Sequence, residues 1–99
     1  MIYPVVHTNG TDPSVLLKNY LDAAAACQEA LDLLEACAPN VRDHYVQSTE
    51  AMVTASAEHV IRVQKLISIK VELRALAEHV QQQVDNREEQ RRSHLASRT

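Results

Sequence analysis

Residues 38–40 read Ala38-Pro39-Asn40 and break the chain between two long stretches in which apolar residues recur every three or four positions. Proline fixes its own backbone, lacks an N–H donor and disfavours the helical conformation of the residue before it. The sequence therefore predicts an all-α fold, a helical hairpin whose second arm is longer than its first. The predicted segments are an extended arm at 1–12, helix 1 at 13–38, a turn at 39–47, helix 2 at 48–92 and a tail at 93–99.

Helix 1 has a clear start and a continuous apolar stripe. Asp12 precedes Pro13, which is the order expected of an N-cap aspartate and a proline at the first helical position. The stripe follows the helical period and comprises Leu16, Tyr20, Ala23, Cys27, Ala30, Leu34 and Ala38. Leucines beside it widen the apolar surface beyond what one antiparallel helix covers.

Helix 2 begins with Ser48 or Thr49 as its cap and Glu50 as a favourable charge in the first turn. Two adjoining apolar seams follow. One comprises Leu66, Ile69, Leu73, Leu76 and Val80, and the other comprises Val53, Ala57, Val60, Ile67 and Val71. Because two seams exceed a two-helix contact, we expect the hairpin to assemble into an oligomeric bundle of coiled-coil character.

The surplus of helix 2 over helix 1, roughly residues 75–99, is the segment that we predict to bind a partner. Its candidate contact residues are Leu76, Val80, Val84, Arg87, Arg91 and Arg92.

Composition excludes several classes of protein. The 99 residues suffice for a single helical domain, with 10 Lys and Arg against 13 Asp and Glu, a net charge of −3. This balance does not favour nucleic-acid binding, which requires a concentrated basic surface. No apolar run approaches the roughly 18 residues of a membrane span, and no basic segment followed by an apolar one marks a signal peptide.

The sequence does not point to an enzyme, and we expect no cofactor and no metal. The five histidines form no HxxxH or HExxH pair, and the two cysteines form no CxxC pair. Cys27 and Cys37 lie on the predicted first helix, too far apart for a disulfide within it, and are interpreted as small buried apolar residues.

Two polar loops hold the candidate recognition residues. The candidate ligand or partner contacts are His7, Asn9 and Thr11 before helix 1, and Arg42, Asp43, His44 and Tyr45 at the turn. One interpretation is structural, in which Asn9 and Gly10 turn the chain and Arg42 and Asp43 pin the connector. The other is recognition of a phosphate or carboxylate by the arginine and the aromatic side chain.

The opening YPVVHTNGT and the turn APNVRDHY resemble small phage- and prophage-encoded helical proteins of unassigned function, with a YPxxHxNGT start and a PNxRDYY turn. The resemblance spans most of residues 3–80. His44 departs from it, since a tyrosine is expected there, which puts an aromatic pair at the turn in doubt. The resemblance implies a viral gene product and brings no catalytic residues.

Two functions follow as expectations. The first is a non-enzymatic assembly or interaction protein, a component of the virion or of its assembly. The alternative is a small phage effector that inhibits a host or defence protein or sequesters an anionic small ligand. The expected partners are proteins, either further copies of this chain in a homo-oligomer or other virion or host proteins. We expect synthesis in the host cytoplasm and, for a structural component, incorporation into the virion.

Overall fold

The all-α helical hairpin predicted from the sequence is the fold of the chain. This computed structural model describes residues 1–44 and 48–97, with three helices and no strand among them. In chain order the helices are α1 (Pro13–Glu35), α2 (Val41–His44) and α3 (Thr49–Ser97). None of the helices in these ranges has both the length and the apolar character needed to cross a lipid bilayer.

The predicted cap of α1 is confirmed. The carboxylate of Asp12 accepts a hydrogen bond from the Ser14 N–H at 2.8 Å and another from the Ser14 hydroxyl at 2.6 Å. The Asp12 carbonyl accepts from the N–H groups of Val15 and Leu16. Together these bonds satisfy donors that the first turn of a helix leaves unpaired, so α1 begins at Pro13.

Helix α1 ends at Glu35, three residues before the predicted end at Ala38. The next three N–H groups donate to carbonyls three positions back, from Ala36 to Leu33, from Cys37 to Leu34 and from Ala38 to Glu35. This tighter winding is the usual way in which an α-helix closes. Because Pro39 excludes the helical conformation at the residue before it, the last predicted turn is not α-helical.

The predicted turn contains a short helix that we did not predict. The side-chain oxygen of Asn40 accepts from the Asp43 N–H at 3.1 Å and thereby caps α2. Ser48 caps α3 through a bond from the Ala51 N–H to its hydroxyl at 2.9 Å, which confirms the predicted start. Positions 45–47 of the predicted turn and 98–99 of the predicted tail lie outside the described residues.

Helix α3 continues to Ser97, five residues beyond the predicted end at 92. The added residues contain no glycine or proline and so hold no signal that stops a helix.

The tertiary contacts divide the chain into two compact units. Unit 1 comprises Met1–Ala23 and Glu72–Thr99, and unit 2 comprises Ala24–Val71. Each unit contains part of α1 and part of α3.

The core of unit 1 is small and involves the arm. Its buried residues are Val6 from the arm and Ala77 and Val80 from α3. Around them the predicted stripe of α1 and the first predicted seam of α3 are half-buried, namely Leu16, Tyr20, Ala23, Leu73 and Leu76. The pairing of these two faces therefore agrees with the sequence, whereas the burial of Val6 was not predicted.

The core of unit 2 is smaller still. Ala24 is its one buried residue among the described positions, and Cys27, Ala30, Leu34 and Leu66 are half-buried around it. Cys37 was predicted to be buried and is exposed, because α1 has already ended at Glu35. Small residues on α1 give this unit close helix contact but little apolar burial.

We expect the Asp12 cap to make stability depend on pH. Its hydrogen bonds with Ser14 lower the pKa of the Asp12 carboxyl below the ordinary value. A lowered folded-state pKa stabilises the fold above the unfolded pKa, and the gain is lost as pH falls through the folded pKa. Asp12→Ala should therefore lower the midpoint of thermal unfolding at neutral pH and change it less in acid.

Asp12→Asn is the matched control, since its amide oxygen still accepts both bonds without titrating. Thermal unfolding followed by circular dichroism, at neutral pH and in acid, gives the midpoint of unfolding for both variants. An equal loss in Asp12→Ala at neutral and acid pH would show that the ionised carboxylate contributes nothing.

Candidate functional site

The arm in unit 1 is held by a single glutamine side chain of α3. The Gln83 amide oxygen accepts from the Val6 N–H at 2.8 Å, and its amide nitrogen donates to the Pro4 carbonyl at 2.8 Å. A residue in a parallel strand makes the same two bonds, through its own N–H and C=O, to the residues on either side of its neighbour. The Gln83 side chain therefore replaces a neighbouring strand for the arm.

A ring contact adds to this attachment. Tyr3 and His79 are stacked with centroids 4.5 Å apart and an interplanar angle of 30°. Val6, which makes one of the bonds to Gln83, is 7% exposed and Val80 of α3 is 0% exposed, so the arm contributes a buried apolar side chain to the core of unit 1.

The first polar loop turns the chain as expected. The Gly10 N–H donates to the His7 carbonyl at 3.1 Å, and no described residue has a positive φ. A Cβ at Gly10 would lie 2.8 Å from Nε2 of His7, an atom at the far end of an exposed side chain that can move aside. Asn9 and Thr11 are exposed, and their side chains form no hydrogen bond within the described ranges. They stay predicted contact residues.

The second polar loop lies in unit 2. Arg42 and Asp43 are exposed. The ion pairs found in the described part of the chain are Lys18–Asp22 and Arg62–Glu58. The predicted pinning of the connector by Arg42 and Asp43 is thus made instead by Asn40, through its cap on α2. His44 is described for its backbone alone, within α2, and Tyr45 lies outside the described residues.

The predicted overhang of α3 begins later than expected. Val80 is buried in unit 1, and Leu76 and Val84 are half-buried there, because the arm and α1 pack against this part of α3. These three residues are not a free surface. From Asp85 to Ser97 every residue is exposed, including the predicted contacts Arg87, Arg91 and Arg92.

The second predicted seam of α3 forms an uncovered apolar stripe in unit 2. We call it the α3 stripe and define it by the five predicted residues Val53, Ala57, Val60, Ile67 and Val71, together with the polar Gln64, which was not predicted and continues their spacing. All six are exposed. The exposed fractions of its four large apolar side chains are 65% for Val53, 51% for Val60, 45% for Ile67 and 59% for Val71. Apolar side chains in one row at helical spacing favour contact with another helix.

Polar side chains of unit 2 link the two helices. Lys70 of α3 donates to the Gln28 side-chain oxygen, and the Gln28 amide donates to the Asp32 carboxylate at 2.9 Å. His59 and Glu35 line the same groove. Within residues 1–44 and 48–97, no group of three histidines, cysteines or acidic residues is arranged to hold a metal ion.

No protein-family model, curated protein or solved structure matches the chain.

Sequence reasoning missed the residues that attach the arm. Tyr3, His79 and Gln83 carry no local signal, since glutamine and histidine on a helix are ordinary solvated residues. One hint was available. The arm opens with six apolar residues, Met1 to Val6, which favour contact with an apolar surface elsewhere in the fold.

We expect Gln83→Leu to release the arm while leaving α3 intact. The substitution removes two hydrogen bonds, each contributing about 1 kcal/mol, and so predicts at least about tenfold faster hydrogen exchange at the Val6 amide. Exchange followed by NMR gives this rate directly.

Gln82→Leu is the matched control, because the Gln82 amide bonds only Asn86 on the exposed side of the same helix. Val6 exchange in Gln82→Leu should equal that of the wild type. Equal exchange in Gln83→Leu and the wild type would contradict the attachment.

Proposed function

We propose that the chain is a non-enzymatic helical assembly protein encoded by a phage, a component of the virion or of its assembly, and that it binds protein through the α3 stripe. The observation that carries this proposal is the exposure of the stripe. Burying apolar area contributes about 25 cal/mol per Å², so four exposed aliphatic side chains in one row favour association with another protein surface. The phage context is supported by the resemblance of YPVVHTNGT and APNVRDHY.

The size of the cores also supports assembly. In the described residues, only Val6, Ala24, Ala77 and Val80 are buried apolar residues, and none of them is a large side chain. Small domains bury too little surface to be strongly stable unless a metal, a disulfide or a partner adds to them. Both cysteines are free. Association with a partner is therefore the source of additional stability that we propose.

The proposed virion role predicts how much of each of two matched variants is incorporated into particles. Ile67 lies on the α3 stripe and is 45% exposed, whereas Ile69 is 47% exposed and lies about 160° from the centre of the stripe. Ile67→Lys should lower the amount of chain in purified particles at least about tenfold, since a charge buried without a partner costs several kcal/mol. Ile69→Lys should incorporate as the wild type does.

Quantitative mass spectrometry of purified particles measures both variants, and circular dichroism confirms equal helix content. Absence of the wild-type chain from particles would overturn the virion role and favour the effector. Incorporation of Ile67→Lys at wild-type level would show that the stripe is not the contact.

A second candidate function is supported by the exposed arginine of the turn. We propose, as the alternative, a small phage effector that inhibits a host or defence protein or sequesters an anionic small ligand at residues 42–45. Arg42 is exposed and belongs to neither ion pair of the described residues. Its guanidinium is therefore available to bind a phosphate or carboxylate in bidentate fashion.

For this function, isothermal calorimetry with inorganic phosphate and with nucleotides should give binding that Arg42→Ala abolishes. Arg62→Ala is the control, because Arg62 is an exposed arginine of the same unit already paired with Glu58 at 3.2 Å. Unchanged binding by Arg42→Ala, or no measurable heat of binding with the wild type, would contradict the ligand-binding function.

A further inference from the structure

We infer that the partner of the α3 stripe is the same stripe of a second copy of the chain, paired antiparallel in one register. This inference rests on the proposed function, since it names the protein that the stripe binds. It is carried by the spacing of the stripe, by the size of its side chains and by the charges at its two ends.

The spacing of the stripe is that of a helix seam. Its residues follow one another at steps of four, three, four, three and four, from Val53 to Val71. Alternating steps of three and four keep a row of side chains facing a partner helix along the whole contact. Val71 lies 18 positions after Val53, or about 27 Å at 1.5 Å per residue, and the row lies within unit 2.

Charges lie one further step of three from each end of the stripe. Glu50 precedes Val53 and Arg74 follows Val71 on α3, and both are exposed. With these two positions added, the steps are three, four, three, four, three, four and three. This order is the same in both directions, so an antiparallel second copy places each residue of the row opposite another residue of the row.

The resulting pairs are complementary. In this register the pairs are Glu50 with Arg74, Val53 with Val71, Ala57 with Ile67, and Val60 with Gln64, each formed twice by the two-fold symmetry. The acid meets the base at both ends, and the smallest side chain meets the largest aliphatic one. Gln64 is the one polar residue between the charged ends of the row and lies beside the two-fold axis.

Other arrangements lose this complementarity. A parallel pair would place Glu50 against Glu50 and Arg74 against Arg74, which are like charges. Moving the antiparallel pair by one heptad places Glu50 against Ile67 in one direction and Arg74 against Ala57 in the other. Each shift desolvates a charge without an opposite charge, at a cost that the symmetric register avoids.

The experiment joins single cysteines across the two copies in the full chain. Val53→Cys and Val71→Cys are each made in a Cys27→Ala, Cys37→Ser background, with one of them ¹⁵N-labelled. Mixed under oxidation, the two variants should form a disulfide-linked pair, and each variant alone should not. In this register two copies of residue 53 lie about 27 Å apart along the helix axis, far beyond the roughly 7 Å limit between Cα atoms of a disulfide.

Light scattering on the unmodified chain accompanies the crosslinking, and the expected mass is an even multiple of 11.1 kDa. Arg74→Glu should raise the dissociation constant at least about tenfold, and Glu50→Arg with Arg74→Glu should restore it. A disulfide formed by Val53→Cys alone, no disulfide in the mixture, or a monomeric chain would each overturn the inference.

The failure of this inference is distinguishable from that of the proposed function. If the chain is a monomer and its Ile67→Lys variant is nevertheless lost from particles, the stripe binds a different protein. The proposed function then stands. Incorporation of Ile67→Lys at wild-type level rejects the function itself.

Discussion

Two helices can contact each other along only one line, and this geometric limit determines which surfaces of the chain are buried. A helix with apolar residues on more than one face therefore requires more than one neighbour. In unit 1 the second neighbour of α3 is the arm, which is attached through Gln83 and Tyr3 and contributes Val6 to the buried core that also contains Val80. In unit 2 no described segment covers the α3 stripe. The same helix thus has a covered and an uncovered apolar surface.

The choice of residues at the helix contacts follows from the same limit. In unit 2 the buried position on α1 is Ala24, and in unit 1 the buried positions on α3 are Ala77 and Val80. Small side chains let two helix backbones approach closely, but each one removes little apolar area from water. Close contact is therefore obtained at the expense of stability from burial, and the larger aliphatic residues Val53, Val60 and Ile67 remain on the outside.

Short-range signals were sufficient for much of the fold. The cap at Asp12, the cap at Ser48 and the break at Pro39 act within a few residues along the chain, so the sequence displays them directly. The apolar periodicity also identified which faces of α1 and α3 meet. It could not show which of the two seams of α3 is covered and which is exposed, because both have helical spacing. Which seam is covered depends on where α1 and the arm lie.

Long-range contacts were beyond the sequence. The bond from Val6 to Gln83 joins residues 77 positions apart, and nothing near either residue indicates the other. The candidate site shows the same division. Asn40, and not the pair of Arg42 and Asp43, stabilises the turn, because an amide cap satisfies the Asp43 N–H at close range. Val80 was predicted as a partner contact and is buried in unit 1, to which residues distant along the chain, 1–23, contribute.

The attachment of the arm to Gln83 has a consequence for the order in which the chain folds during synthesis. Unit 2 is one continuous segment, Ala24–Val71, whereas unit 1 joins Met1–Ala23 to residues that are translated after Val71. The hairpin of unit 2 can therefore form on the ribosome while the arm still has no binding site. The arm docks only after Gln83 has emerged, so a segment that is translated before either long helix is among the last to reach its native contacts.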